Sequence, residues 1–123
     1  MPTKIMIVDD SFTVRQQVAS TLTEAGFQVV EAVDGEDAHA RIGAEAELAL
    51  VICDVNMPKM NGLELLEKVR AEPRFATLPV LMLTTEGQPE LIAKAKSLGA
   101  RGWMVKPFKP EQLVAAAKKL TTR

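Results

Sequence analysis

Carboxylates that directly follow apolar runs are the residues of this sequence best placed to do chemistry. Asp54 comes at the end of the run Leu48–Cys53, and Asp9 and Asp10 come at the end of the run Lys4–Val8. Short apolar runs bounded by turn residues are typical of buried strands. A lone carboxylate inside such a strand would cost several kcal/mol. We therefore expect each of these carboxylates at the exit of its strand.

A hydroxyl group and an ammonium group follow two further apolar runs. Thr84 ends the run 79–83, and Lys106 ends the run 102–105. A more polar run covers 27–32 and is expected near an edge of the sheet. Between the runs, apolar residues recur every three or four positions, as they do in amphipathic helices. Five strands alternating with five helices predict an α/β fold in three layers, with a parallel sheet covered on both faces. Periodicity alone leaves the order of the strands open.

The carboxyl ends of strands in an open parallel sheet form the rim of one crevice. The three carboxylates, Thr84 and Lys106 would then lie within a small volume. Turns also favour Asp and Thr, which accounts for any single position but poorly for all of them together. Neighbouring negative charges repel unless a cation lies between them. A set of oxygen ligands without clustered histidines or cysteines favours Mg²⁺, so we expect a magnesium site at this rim.

Length and composition fit one globular domain over residues 1–123. Hydrophobic residues make up 47% and charged residues 25%, and the formal net charge is -1. This balance favours neither nucleic acid nor an anionic membrane as a partner. The single cysteine excludes an internal disulfide and suits a reducing compartment. Residues 1–3 lead directly into the first run, and no run approaches the length of a membrane span. We expect a cytoplasmic protein.

The motifs of this chain resemble the receiver domain of two-component response regulators, and most closely the single-domain chemotaxis regulators of the CheY type. The resemblance covers essentially the whole chain. It is carried by the acidic pair at 9–10, the loop 54–62, Thr84, and the tripeptide Lys106-Pro107-Phe108. It implies a flavodoxin-like (βα)5 fold with a five-stranded parallel sheet in the order 2-1-3-4-5.

The resemblance also implies a phosphorelay chemistry. Asp54 would be the phosphoacceptor. The donor would be a phosphohistidine, on a sensor histidine kinase of the CheA type or on a histidine phosphotransfer domain, or else a small phosphodonor. Mg²⁺ would bind directly to Asp10, Asp54 and the backbone carbonyl of Asn56, and to Asp9 through water.

Two further side chains would contact the transferred group. Lys106 would place its charge on the phosphoryl oxygens, and the Thr84 hydroxyl would donate a hydrogen bond to another of these oxygens. The bond between Lys106 and Pro107 is expected to be cis, as in the family.

Signalling would be a shift between two conformations, in which Thr84 moves toward the phosphoryl group and the aromatic residue of the fifth strand turns inward. That residue is Trp103, where the family commonly has Tyr or Phe. Thr85 is a second departure, since small residues are usual there. Asn56 and Glu86 occupy the two positions that tune the phosphoryl lifetime in the family, and they predict a short lifetime.

Nothing follows the fifth helix, so we expect no effector domain, a monomer, and output through a partner protein. The family commonly binds such partners through the face formed by the fourth helix, fifth strand and fifth helix. We expect a signalling domain, not an enzyme, although it would assist its own phosphorylation and dephosphorylation.

Three other interpretations remain open on sequence grounds. The chain could be a receiver cut from a longer regulator or hybrid kinase. It could be a Mg²⁺-dependent phosphohydrolase with an aspartyl-phosphate intermediate, but haloacid dehalogenases separate their two carboxylates by one residue, whereas Asp9 and Asp10 are adjacent. A flavodoxin-type cofactor binder would need a phosphate-cradling loop after the first strand, where this acidic pair would repel phosphate.

Overall fold

A five-stranded parallel sheet forms the centre of the molecule. The computed structural model describes residues 3–45, 47–85 and 87–122. The strands follow the order β2-β1-β3-β4-β5, which confirms the expected fold. Their bounds are β1 Lys4–Val8, β2 Gln28–Ala32, β3 Leu48–Cys53, β4 Val80–Thr84 and β5 Gly102–Val105. The predicted strands 27–32 and 79–83 are therefore each displaced by a single residue at one or both ends.

Helices follow each strand and cover both faces of the sheet. They are α1 Phe12–Glu24, α2 Gly35–Ala44, α3 Gly62–Ala71, α4 Pro89–Ser97 and α5 Pro110–Thr121. The sequence did not predict the short 3₁₀ helix Pro73–Phe75 after α3. Proline has no N–H for a continuing α-helix but fits the first turn of a new one, so Pro73 ends α3 and begins this turn.

The sheet separates two apolar cores. Met6, Val51, Leu66 and Met82 belong to the core that α2, α3 and α4 cover. Alternate strand residues face the other core, beneath α1 and α5, where they meet residues such as Leu113. Because both faces are buried, the inner strands are almost continuously apolar. Within the described residues, no helix combines the length and apolar character needed to cross a membrane.

The register of the strands aligns their carboxyl ends. Val8 pairs with both Ala32 and Cys53. The residue that follows β1 is Asp9 and the residue that follows β3 is Asp54, and the backbone ladder continues into both. The Asp54 N–H donates to the Val8 carbonyl at 3.0 Å, and the Asp9 N–H donates to the Ala32 carbonyl at 3.2 Å. The two carboxylates therefore leave the sheet side by side.

Candidate functional site

Three carboxylates meet at the carboxyl edge of the sheet. Asp9 and Asp54 are buried, with exposed fractions of 3% and 7%, whereas Asp10 is exposed. One oxygen of each lies within 4.8 Å of the others. All three predicted metal-binding carboxylates are thus brought together, and their oxygen atoms form a donor set of the kind that hard cations such as Mg²⁺ prefer.

Lys106 lies between two of these carboxylates. Its Nζ donates to Oδ2 of Asp9 at 2.7 Å and to Oδ2 of Asp54 at 3.1 Å. The backbone of β5 sets this position, because the Lys106 N–H donates to the Thr84 carbonyl at 2.8 Å. The peptide bond from Lys106 to Pro107 is cis, as expected.

Backbone N–H groups bind the remaining oxygen of each buried carboxylate. The Ser11 N–H donates to Oδ1 of Asp9 at 2.9 Å. The Asn56 N–H donates to Oδ1 of Asp54 at the longer distance of 3.3 Å. Ser11 also caps α1, since its hydroxyl accepts from the Val14 N–H. The start of α1 and the orientation of the Asp9 carboxylate therefore depend on the same residue.

Burial and the charges of the site act against each other. Burial raises the pKa of Asp9 above its usual range, although hydrogen bonds from Lys106 and the Ser11 N–H oppose this. Burial by itself would lower the pKa of Lys106, but its hydrogen bonds to Asp9 and Asp54 outweigh burial and raise the pKa. Lys106 is therefore positively charged at neutral pH and partly offsets the repulsion among the carboxylates.

The loop after Asp54 is held by close backbone contacts. The Gly62 N–H donates to the Val55 carbonyl at 2.9 Å. A Cβ atom on Gly62 would overlap the backbone carbonyl of Asp54, so only glycine fits this position. Asn61 forms a capping box with Glu64, with hydrogen bonds of 2.9 and 3.0 Å. Hydrogen bonds between residues close together in the sequence therefore hold the loop that carries Asn56.

The predicted switch residues lie on the same face of the sheet. Thr84 is fully buried at the end of β4. Trp103 pairs with Met82, two residues before Thr84, and side chains two residues apart point to the same face. Trp103 is half-buried and packs against the core that α4 covers.

The remaining predicted site positions lie around this cluster. Asn56 is exposed, and so is Thr85. Glu86 lies outside the described residues. Cys53 precedes Asp54 but points into the core, and burial raises the pKa of its thiol far above the ordinary value. A thiolate role at this position is therefore disfavoured.

Arg15 is a contact of the site that the sequence did not reveal. Its Nη1 donates to the backbone carbonyl of Asp9 at 2.7 Å. The only signal in the sequence is its place one helical turn beyond Ser11, on a helix whose periodicity marks it simply as a surface residue. Its ion-pair partner Glu31 lies on β2, and this proximity follows only from the strand order.

The fold and the site together define a class. A parallel sheet in the order 2-1-3-4-5, with an aspartate cluster and a lysine at its carboxyl edge, is the architecture of CheY-like receiver domains. A family model described as "Response regulator receiver domain" matches residues 5–118. The chain belongs to this family, whose members are signalling domains and typically bind Mg²⁺ at an acidic pocket.

Chemotaxis proteins are among the similar proteins. Chemotaxis protein CheY1 of Helicobacter pylori (strain J99) is 42% identical over 111 residues, which are 89% of this chain and 90% of that protein. A chemotaxis protein CheY homolog of Campylobacter jejuni is 41% identical over 89% of this chain and 85% of its own length. The structure of Vibrio cholerae CheY4 matches with a TM-score of 0.92 and 42% identity, over 98% of this chain and 99% of that chain.

Proposed function

We propose that this chain accepts a phosphoryl group on Asp54 in a Mg²⁺-dependent reaction and then changes its affinity for a partner protein. The observation that carries this proposal is the convergence of Asp9, Asp10 and Asp54 within 4.8 Å of one another, with the Lys106 ammonium 3.1 Å from Asp54. Phosphoryl transfer depends on positioning of the reacting groups and on electrostatic stabilisation of the transition state. The carboxylates could provide this with a bound cation, and the Lys106 ammonium could provide it directly.

The hydrogen bonds of the cluster favour Asp54 as the nucleophile. Asp9 accepts from Ser11 and Lys106 at 2.9 and 2.7 Å. The corresponding bonds of Asp54 are longer, at 3.3 and 3.1 Å. An oxygen of Asp54 is therefore released for bond formation more easily than one of Asp9. Asp10 is exposed, so water competes for its oxygens.

In the proposed step, a carboxylate oxygen of Asp54 bonds to the phosphorus atom of a phosphohistidine. The bond from phosphorus to the histidine nitrogen breaks, and the nitrogen keeps the electron pair. Lys106 already donates a hydrogen bond to Asp54. Its ammonium group can therefore stabilise the negative charge that develops on the phosphoryl oxygens. Asp9 and Asp10, with Asp54 and the backbone carbonyl of Asn56, are the groups that would hold Mg²⁺. When bound, the ion neutralises charge among the carboxylates and the phosphoryl oxygens.

The consequence of phosphorylation is proposed to pass through Thr84 and Trp103. Thr84 is linked to the site because its carbonyl accepts the N–H of Lys106. A hydroxyl drawn toward a phosphoryl oxygen vacates space on the face that also carries Trp103. The indole can then turn inward beside α4. The output partner would bind the face of α4, β5 and α5, where Val105 is 46% exposed.

The relatives support a place in chemotaxis or related signalling, with a histidine kinase of the CheA type or a histidine phosphotransfer domain as donor. We propose that this chain is a cytoplasmic, monomeric receiver. Asn56 is exposed beside Asp54, where it would admit water to the phosphoryl group and shorten its lifetime. Phosphoprotein that persists without measurable loss for many hours would contradict a short lifetime.

Mass spectrometry after incubation with acetyl phosphate and MgCl₂ tests the proposed function. Wild-type protein should gain a single phosphoryl group, and Asp54→Asn should gain none. Asp34→Asn is a matched control, because Asp34 is also buried but caps α2. It should be phosphorylated like the wild type. Steady turnover of phosphate esters would instead favour a phosphohydrolase, and a wild type that gains no phosphoryl group would overturn the proposal.

A further inference from the structure

Arg15 connects the acidic cluster to the edge strand of the sheet. It lies in the first turn of α1, and 11% of its side chain is exposed. Its Nη1 donates to the Asp9 carbonyl at 2.7 Å, and its Nε donates to Oε1 of Glu31 at 3.2 Å. The guanidinium carbon also lies 5.7 Å from the centre of the Phe12 ring. One side chain therefore contacts β2, α1 and the loop that carries the two adjacent carboxylates.

The carbonyl that Arg15 binds belongs to the peptide unit between Asp9 and Asp10. On the other side of Asp9, the N–H donates to Ala32 of β2. Glu31 is the neighbour of Ala32 on the same strand and anchors Arg15. The backbone of Asp9 is thus fixed on both sides by β2, directly through Ala32 and indirectly through Arg15. Because this peptide plane is fixed, the position of the Asp10 Cα atom, which carries the exposed side chain, is fixed as well.

The positive charge of Arg15 could by itself oppose a cation, but Glu31 largely compensates that charge. The ion pair at 3.2 Å is supported by Gln16, which donates to both oxygens of Glu31 at 3.2 and 3.4 Å. A compensated charge has a weak field at a distance. The geometric effect of Arg15 on the backbone of Asp9 and Asp10 should therefore outweigh repulsion.

We propose that Arg15 is a positioning residue that sets the Mg²⁺ affinity of the carboxylate cluster. This inference rests on the proposed function, in which that cluster holds the cation. Arg15 would touch neither the ion nor the phosphoryl group. It would lower the entropy that the loop loses on binding, because the backbone of Asp9 and Asp10 is already in place before the cation arrives.

Isothermal titration calorimetry with MgCl₂ alone tests this inference. Arg15→Met keeps the apolar stem and removes every donor, and its affinity should fall about tenfold, as for other residues that orient metal ligands. Arg15→Lys should lose about threefold, since an ammonium cannot hold the carbonyl and Glu31 in one planar geometry. Arg70→Met is the matched control, because Arg70 is also a half-buried arginine that makes two hydrogen bonds, in its case to the backbone carbonyls of Phe75 and Gly99 at 3.0 and 2.9 Å. Its contacts lie at the opposite edge of the sheet, so its Mg²⁺ affinity should equal that of the wild type.

A second readout separates positioning from general destabilisation. Phosphorylation by acetyl phosphate should need more Mg²⁺ in Arg15→Met, by the same factor as in calorimetry, while the rate at saturating Mg²⁺ stays close to that of the wild type. Unchanged or tighter Mg²⁺ binding by Arg15→Met would overturn the inference, and so would an equal loss in Arg70→Met. If Arg15→Met does not fold, Arg15→Lys decides, and wild-type affinity in that variant overturns the inference.

Failure of this inference can be distinguished from failure of the proposed function. If the wild type does not bind Mg²⁺, both are overturned. If the wild type and Arg15→Met bind Mg²⁺ equally well, only the role of Arg15 is overturned.

Discussion

The ammonium nitrogen of Lys106 lies 3.1 Å from a carboxylate oxygen of Asp54, a residue 52 positions earlier in the chain. The same nitrogen binds Asp9 at 2.7 Å. Lys106 therefore acts as an internal cation in the cluster where Mg²⁺ is proposed to bind. The two cations would share the negative charge of the carboxylates, which leads to the first prediction.

Lys106→Met should bind Mg²⁺ more tightly and accept phosphate more slowly. Loss of the ammonium leaves more negative charge for the metal, and we expect affinity to rise about fivefold. The phosphorylation rate at saturating Mg²⁺ should fall at least about tenfold, because the variant lacks the positive charge that would stabilise the phosphoryl oxygens. Calorimetry and acetyl phosphate kinetics measure the two effects. Lys59→Met is a suitable control, since the Lys59 side chain is 63% exposed and lies 3.9 Å from Asp34. Weaker Mg²⁺ binding by Lys106→Met would contradict the shared-charge interpretation.

The stability that Lys106 contributes should disappear at high pH. Its folded-state pKa is raised above the ordinary value of 10.5, so the folded state holds the proton more tightly than the unfolded state. The contribution is complete below the unfolded pKa and is lost as pH rises through the higher folded value. The difference in unfolding free energy between wild type and Lys106→Met should therefore be constant from about pH 7 to about pH 9 and shrink above about pH 10.5. Urea titrations at each pH give this difference, and one that grows above that pH would refute the assigned direction.

Gly62→Ala should destabilise the protein by about 2 to 3 kcal/mol. The added Cβ would overlap the Asp54 carbonyl, and neither backbone segment can move freely, because Gly62 is bonded to Val55 and begins α3. Gly87→Ala is the control, since its Cβ would meet only Val105 at 3.6 Å, an ordinary contact. Chemical denaturation compares the two variants. Equal stability of both would mean that the loop relaxes without loss.

Trp103 should report the proposed switch by fluorescence. It is the single tryptophan of the chain, and it is half-buried, so an inward rotation changes its solvent exposure. Acetyl phosphate with Mg²⁺ should shift its emission in the wild type. Thr84→Val keeps the buried volume but removes the hydroxyl, and it should be phosphorylated with a much smaller shift. The same emission shift in both proteins would show that the rotation of Trp103 does not depend on the Thr84 hydroxyl.

Much of the fold could be predicted because local rules and tertiary packing agree. The apolar runs, the cap at Ser11 and the turn at Gly62 all favour the elements that form. The 3₁₀ helix at Pro73 was missed, since a proline after a helix predicts the end of that helix but not the conformation of the next residues. Glu86, one of the two positions proposed to tune lifetime, lies outside the described residues, so its role stays a prediction.

The sequence by itself determined which residues stand at the strand exits, because buried strands exclude charges and expel Asp9, Asp54 and Lys106 to their ends. It did not determine which strands are neighbours. The order 2-1-3-4-5 came with the family resemblance, since periodicity describes each strand singly and carries no information on pairing. Only the tertiary structure decided that Lys106 lies between two carboxylates and that Glu31 holds Arg15 beside Asp9. Both contacts join distant segments, and their distances depend on the packing of the whole sheet.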